Sequence, residues 1–400
     1  MWFRNKRIYA DAAAATPLSG AAHKELTRLL GLYGNAGAIH HEGVEAKKEL
    51  EKARKSIAES INAHADEIVF TASGTEGNNL AIQGVLCLLL QKAKTWTRGV
   101  QVLHAITSAV EHQSVLEPLR ALAREGLAVT EVGVDGEGLV FPNAVLDAVR
   151  PETAFVSVQL VNSEMGAVEP IKEIAKSLRR AKQKIYFHTD ASQAPLWMEL
   201  NVEQLGVDLM TLDAQKVLGP KGVGVLYVRR GTPIQPVLWG GKQERGLRGG
   251  TENVPAAGAF AVALADAKRG VERRATKTAA MRDYLWEEIK KLLSDAVLNG
   301  PSLSKVEPCS RVANNLNVSI PGLDAEMAVV SLDALGVAAS TRSACTIGND
   351  EPSHVIKALG VSKEIAGTAI RITLLPGATR AEARRIAAAL KETADRYRQN

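Results

Sequence analysis

Short apolar runs alternate with longer amphipathic segments over the first two-thirds of this chain. One helical face is marked by Leu50, Ala53, Ile57 and Ile61. Buried strands are predicted at residues 67–71, 101–107, 127–132, 154–160, 184–189, 207–212 and 223–228. Helical segments lie between several of these strands, and this alternation favours an α/β fold with a mostly parallel sheet covered on both faces.

The pattern changes after about residue 252. The elements predicted there are a long charged helix to about residue 295 with a break near Gly270, a strand at 312–319, a helix at 324–335, a strand at 368–373 and a final helix from about Arg380. No low-complexity linker separates the two parts. We therefore expect a smaller α+β domain that is joined to the first by a packed helix.

The composition is that of a globular protein, with 46% hydrophobic and 23% charged residues among 400. Net charge is +5 and the basic residues are spread along the chain, so no direct nucleic-acid binding is expected. No apolar run approaches the length of a membrane span, and the first residues lack the apolar core of a secretory signal. Three cysteines, Cys87, Cys309 and Cys345, are too few for a disulfide framework, which favours a reducing, cytoplasmic location.

Two polar residues follow neighbouring predicted strands. Lys216 lies in a short turn after the strand at 207–212, and Asp190 follows the strand at 184–189. A lysine can form a Schiff base with a carbonyl compound, and an aspartate can pair with a pyridinium nitrogen. Taken singly, each has an ordinary alternative: a surface lysine after a strand and a helix-capping aspartate. Together with the motifs around them, they predict pyridoxal phosphate chemistry.

Two further segments have both a functional and a structural interpretation. The turn Ser73-Gly74-Thr75 between a strand and a helix offers backbone N–H groups to an anion such as phosphate. A routine turn in which Thr75 caps the helix is at least as common. His112 follows a predicted strand, where it could stack on a planar cofactor or act as a polar cap.

Several ordered segments carry a resemblance to a known family. They are residues 33–35 with 39–40, 68–79, 107–115, 161–166, 187–193, 240–253 and 343–346. Together they span nearly the whole chain, which resembles the NifS/IscS-type cysteine desulfurases within the aminotransferase class V group of pyridoxal phosphate enzymes. No single segment is decisive, but the ordered set is highly specific.

The resemblance implies a fold-type-I pyridoxal phosphate transferase and an obligate homodimer. It implies a large domain over residues 15–260 and a small α+β domain built from residues 1–14 and 261–400. The cofactor contacts that it implies are Lys216 as the covalent link, Asp190 at the pyridinium nitrogen, Gln193 at the ring hydroxyl, His112 and Asn162 at the ring, Gly74 and Thr75 at the phosphate, and Thr251 at a phosphate across the dimer interface. No metal site is expected.

The resemblance also implies the reaction, in which L-cysteine becomes L-alanine and its sulfur passes to Cys345 as a persulfide. The catalytic residues that it implies are Cys345, Lys216, which would remove the α-proton, and His112, which would protonate the leaving carbon fragment. Arg371, Asn162 and Asn35 would bind the substrate, with Arg371 clamping its carboxylate unless it belongs to a structural ion pair. Cys345 lies in a small, polar loop, and the nearby Arg342 should lower the pKa of its thiol. Cys87 and Cys309 are interpreted as structural or incidental.

The length of the Cys345 loop is similar to that of the family's long-loop group. That group usually hands sulfur directly to protein acceptors. The acceptors implied are an iron–sulfur scaffold, a sulfur-relay protein or a tRNA-thiolating enzyme.

Two residues depart from the family's phosphate-binding pattern. Gln215 replaces a histidine and can still donate a hydrogen bond, whereas Asp213 replaces a serine. A carboxylate beside a phosphate is repulsive unless it points away or is protonated. The departures leave two alternatives to the desulfurase: an enzyme acting on a related amino acid, such as a selenocysteine lyase or an aminotransferase, and a catalytically weak subunit that binds sulfur carriers.

Overall fold

The structure is a computed structural model that describes residues 7–96, 103–303, 311–341 and 352–398. Its strands are β1 Ile8–Tyr9, β2 Ile68–Thr71, β3 His104–Ser108, β4 Ala128–Val132, β5 Thr153–Ser157, β6 Tyr186–Asp190, β7 Leu209–Asp213, β8 Gly224–Val228, β9 Val297–Asn299, β10 Asn315–Ser319, β11 Val337–Ala338 and β12 Ala369–Thr373. Its α-helices are α1 Gly20–Leu29, α2 His41–Ser60, α3 Gly74–Trp96, α4 Gln113–Arg124, α5 Pro142–Asp147, α6 Ile171–Leu178, α7 Val202–Leu205, α8 Val254–Lys268, α9 Val271–Leu292, α10 Ala325–Ala334, α11 His354–Ala358, α12 Lys363–Ala366 and α13 Arg380–Arg398.

A seven-stranded mixed sheet forms the centre of the molecule, in the order β2-β8-β7-β6-β5-β3-β4. Strand β8 runs antiparallel to β2 and β7, and the remaining neighbours are parallel. The predicted α/β fold with a mostly parallel sheet is therefore confirmed. Parallel neighbours bring their carboxyl ends to one edge, where the cleft described below opens.

Helices cover both faces of this sheet, as the apolar strands predict. Ile68 and Phe70 of β2 share a core with residues of α2 and α8, whereas Val69 shares a core with residues of α3 on the opposite face. All three side chains are buried, and each contributes about 1.5–3 kcal/mol relative to an exposed position. Strands buried on both faces explain the continuous apolar runs of the sequence.

The long helical stretch after residue 252 is two helices, α8 and α9. Gly270 lies between them with φ 70°, a left-handed conformation that costs glycine little. The predicted break at Gly270 is confirmed.

A second group of elements packs around β10. Strands β9 and β12 flank β10 in an antiparallel sheet, and β1 pairs in parallel with β11. Ile8 and Ala10 share a core with Leu285, Leu316 and Ile370, so the start of the chain packs with its last third. The domain boundaries at residues 15 and 260 stay a prediction. Among the described residues, no helix has the length and apolar character needed to cross a bilayer.

Candidate active site

A cleft of about 280 Å³ opens at the carboxyl ends of β6 and β7, beside the N-terminus of α3. Ligands collect at this edge in open α/β sheets. Most of the predicted site residues line the cleft: Gly74, Thr75, His112, Asp190, Gln193, Asp213, Gln215, Lys216 and Arg371. Sheet topology therefore unites residues from five separate parts of the sequence.

Lys216 ends a 3₁₀ turn that directly follows β7. Its Nζ donates to the carbonyl oxygens of Ala13 at 2.8 Å and Ala14 at 2.6 Å. Thr16 fixes the turn, because its hydroxyl donates to the Gln215 carbonyl and accepts from the Leu218 N–H. Burial lowers the pKa of Lys216, which favours the neutral, nucleophilic amine.

Asp190 is held by donors on both carboxylate oxygens. The Ser192 N–H donates to Oδ1 at 2.9 Å, and Asn78 Nδ2 donates to Oδ2 at 2.8 Å. Asn78 also donates to the Ser114 hydroxyl at 2.8 Å. Sequence reasoning assigned no role to Asn78; an amide among the small and apolar residues of a predicted helix was the available signal, and the structure buries it completely.

His112 is a helix cap that also lines the cleft, and its predicted stacking on a cofactor stays a prediction. It is the N-cap of α4, where its Nδ1 accepts from the Ser114 N–H at 3.1 Å, and its ring also lines the cleft. Because Nδ1 accepts a hydrogen bond, the proton of the neutral ring is on Nε2. Burial lowers the pKa of His112, so the neutral form predominates near pH 7.

The N-terminus of α3 approaches the strands closely. A Cβ added to Gly74 would lie 3.1 Å from the Asp213 Cβ and 3.2 Å from the Ser192 hydroxyl oxygen. Asp213 Oδ2 accepts from the Gly74 N–H at 3.0 Å and from Gln215 Nε2 at 3.2 Å, and Oδ1 accepts from the Gln215 N–H at 3.1 Å. The Asp213 carboxylate thus points towards the helix N-terminus, the direction in which it would meet a phosphate.

Arg371 is almost completely buried and lines the cleft. Its Nη2 donates to Asp11 Oδ1 at 2.7 Å and its Nη1 donates to the Ser163 carbonyl at 3.1 Å. Its Nε has no hydrogen-bond partner among the described residues. Arg371 therefore forms the structural ion pair that the sequence left open, and its predicted contact with the substrate carboxylate stays a prediction.

Three predicted residues do not line this cleft. The amide of Asn162 is buried and bonded to the Val110 carbonyl and to the N–H groups of Glu164 and Met165, so it is already used by a turn. Asn35 and Thr251 are exposed on the surface. Their predicted contacts with cofactor or substrate stay predictions.

Of the three cysteines, the structure describes Cys87. Cys345, Cys309 and Arg342 lie outside the described residues. Cys87 is half-buried in α3, and burial raises the pKa of its thiol, which disfavours the reactive thiolate.

Known proteins are similar to nearly the whole chain. The profile of the family described as aminotransferase class-V matches residues 8–386. The cysteine desulfurase IscS of Dictyoglomus turgidum is 41% identical over 370 residues, which cover 92% of this chain and 90% of that protein. The cysteine desulfurase IscS of Methanosarcina thermophila is 37% identical over 371 residues, with 92% and 87% coverage. A solved NifS-like protein has a TM-score of 0.87 at 31% identity and covers 97% of this chain and 99% of its own.

Proposed function

Since this chain belongs to the aminotransferase class-V family, we propose that it is a pyridoxal-phosphate-dependent cysteine desulfurase. It converts L-cysteine to L-alanine and retains the sulfur on Cys345 as a persulfide. The observation that carries the proposal is the meeting of Lys216 and Asp190 in one cleft, together with relatives named cysteine desulfurase that match over most of the chain.

The cleft has the groups that pyridoxal phosphate needs. Asp190 presents a fixed carboxylate to a pyridine nitrogen, and Lys216 supplies an amine. The buried Ser192 hydroxyl has no hydrogen-bond partner within the described part of the chain and lies beside Gly74 at the positive end of α3. These donors fit a phosphate, whereas the charge of the Asp213 carboxylate opposes it.

Each side chain of the cleft has a separate role in the proposed reaction. When bound, pyridoxal phosphate accepts the electron pair that remains after the α-proton of the substrate is removed. The neutral amine of Lys216 takes that proton, and Asp190 stabilises positive charge on the ring nitrogen. Arg371, which lines the cleft, binds the substrate carboxylate, and His112, with its proton on Nε2, covers the ring.

Sulfur transfer is assigned to Cys345. Its thiolate attacks the sulfur of the substrate, the carbon–sulfur bond breaks with its electron pair left on the carbon fragment, and that fragment is protonated to alanine. The products are alanine and a Cys345 persulfide, which balance cysteine and a thiol. An acceptor thiol then takes the terminal sulfur, on an iron–sulfur scaffold, a sulfur-relay protein or a tRNA-thiolating enzyme.

A homodimer completes the proposal. Thr251 is exposed and is not among the residues that line the cleft of its own chain. Large apolar side chains are exposed on two segments of the chain. Tyr33 is 84% exposed and Ile39 98% on the first segment, and Trp239 is 73% exposed on the second. The segments meet where Ala36 and Gly37 line a cleft with residues 242–245. A second copy of the chain would cover these residues and receive Thr251 at its own site.

The weak sulfur-carrier-binding subunit is the second candidate function. The observation that favours it is the hydrogen bond from the Gly74 N–H to the Asp213 carboxylate, which opposes cofactor binding. A cytoplasmic location stays a prediction that depends on the cysteine count.

The decisive experiment measures sulfide and alanine released by the purified protein with pyridoxal phosphate, L-cysteine and dithiothreitol. Equimolar products from the wild type, and none from Cys345→Ala, are expected. Alanine formation by Cys345→Ala at the wild-type rate would contradict the persulfide route and favour a related amino-acid lyase. Failure of the wild type to bind the cofactor would favour the carrier-binding subunit.

A further inference from the structure

The Asp213 carboxylate holds donors that an anion at the α3 N-terminus would use. Gly74 is the first residue of this 23-residue helix, and its N–H donates to Asp213 Oδ2 across 139 positions of sequence. Gln215 donates to the same carboxylate through its backbone and its side chain. Asp213 is only 7% exposed, so these bonds are made away from bulk water.

The buried hydroxyl of Ser192 indicates that a hydrogen-bond acceptor is missing beside Asp213. Ser192 is 8% exposed, and within the described ranges its Oγ has no hydrogen-bond partner. The residue lines the cleft with Gly74, Asp213 and Gln215. A buried hydroxyl without a partner is costly, and an additional oxygen acceptor in the cleft would satisfy it.

We infer that Asp213 is an internal competitor for the phosphate of the cofactor, an inference that rests on the proposed function. In the cofactor-free chain its carboxylate occupies the anion-binding N–H groups. It has to release them before a phosphate binds, so the protein binds pyridoxal phosphate more weakly and more reversibly than a chain with a small neutral residue at this position.

Two physical effects act in the same direction. One N–H group cannot form a full hydrogen bond with two acceptors, so the carboxylate and the phosphate compete for Gly74. Like charges at close range in a cleft also repel, and the carboxylate adds this repulsion to the competition. The same bonds stabilise the cofactor-free chain, because they cap the first N–H of α3. Asp213 therefore has opposite effects on stability and on cofactor affinity.

The test compares Asp213→Ser and Asp213→Asn with the wild type. The measurements are the dissociation constant of pyridoxal phosphate by equilibrium dialysis and the melting temperature of the cofactor-free protein with and without inorganic phosphate. Asp213→Ser should bind pyridoxal phosphate at least tenfold more tightly than the wild type. Its melting temperature should be lower without ligand and should rise more when inorganic phosphate is added. Asp213→Asn keeps an oxygen for the Gly74 N–H but loses the charge, so its affinity should lie between the two.

Asp208→Ser is the matched control, because Asp208 immediately precedes β7 and its carboxylate also accepts a hydrogen bond from a backbone N–H, that of Phe187. It should lower the melting temperature without changing either affinity. Equal affinity of the wild type and Asp213→Ser for both pyridoxal phosphate and inorganic phosphate would overturn the inference. If no variant binds pyridoxal phosphate, the proposed function fails, while the response to inorganic phosphate still decides the role of Asp213.

Discussion

One buried amide connects the structural core to the chemistry of the cleft. Asn78 donates to Asp190 and to Ser114, and Ser114 in turn bonds the His112 ring. Asp190 and His112 are thereby fixed by the same short network of side chains. A hydrogen bond to a charged group contributes about 1.5–3 kcal/mol, more than a bond between neutral groups.

Replacing Asn78 by alanine should weaken cofactor binding. Asp190 would lose one of its two described donors, and its carboxylate would be less firmly oriented towards a ring nitrogen. We expect the dissociation constant of pyridoxal phosphate to rise roughly tenfold or more by equilibrium dialysis. Asn143→Ala, at an exposed position of α5, is the control and should leave the constant unchanged. An unchanged constant in Asn78→Ala would contradict the role assigned to this network.

At the scale of elements, turns and helix ends place most of the site groups. Lys216 and Asp190 follow the ends of parallel strands, and Gly74 begins a helix that lies against β7. A Cβ on Gly77 would come within 2.9 Å of the Thr211 methyl group, so glycine is what allows α3 to pack this closely. Several connections between strands are held by buried carboxylates, of which Glu169 is an example.

Glu169 should make stability fall as the pH rises. Its Oε2 accepts from the Val140 N–H, and burial raises its pKa from 4.5 to about 8. Between these values the unfolded chain has lost the proton and the folded chain has kept it. The stabilisation is therefore complete below pH 4.5 and is lost as the pH rises to 8, at about 1.4 kcal/mol per pH unit.

Urea unfolding of Glu169→Gln at pH 5.5 and 7.5 checks this sign. The variant should lose less stability than the wild type between the two pH values, because it has no proton to release at this position. Glu173→Gln, at an exposed position of α6, should keep the wild-type difference. Parallel pH profiles for the wild type and Glu169→Gln would show that this carboxyl group does not titrate as stated.

At the scale of the molecule, the proposed dimer makes each site depend on two chains. Within one chain Thr251 is exposed and the cleft is lined without it. The exposed apolar residues Ile39 and Trp239 would be covered by the second chain of the proposed dimer.

Mixing two inactive variants tests this dependence. Lys216→Ala and Thr251→Asp should each lack activity, the second because a carboxylate would face the phosphate in the neighbouring subunit. In a refolded equimolar mixture, half of the dimers contain both variants and have one intact site, so about a quarter of wild-type sulfide release should return. If Thr251 acts within its own chain, every site keeps one lesion and mixing restores nothing.

The sequence alone was sufficient for the fold class and for much of the site. Buried strands have continuous apolar runs, and the alternation with helices is a local property of the chain, so the parallel sheet could be predicted. Lys216, Asp190 and His112 could be predicted as cleft residues because each follows a strand, and strand ends meet at one edge of such a sheet.

Only the tertiary structure decided which groups touch. Arg371 contacts Asp11 across 360 positions, Asp190 contacts Asn78 across 112, and Gly74 contacts Asp213 across 139. The carbonyl groups of the N-terminal segment that hold Lys216 belong to alanines, whose side chains give no signal. Such contacts depend on sheet order and on how helices pack against the sheet. Residue types and local spacing do not reveal which distant residues touch, because these contacts form only when the whole chain folds.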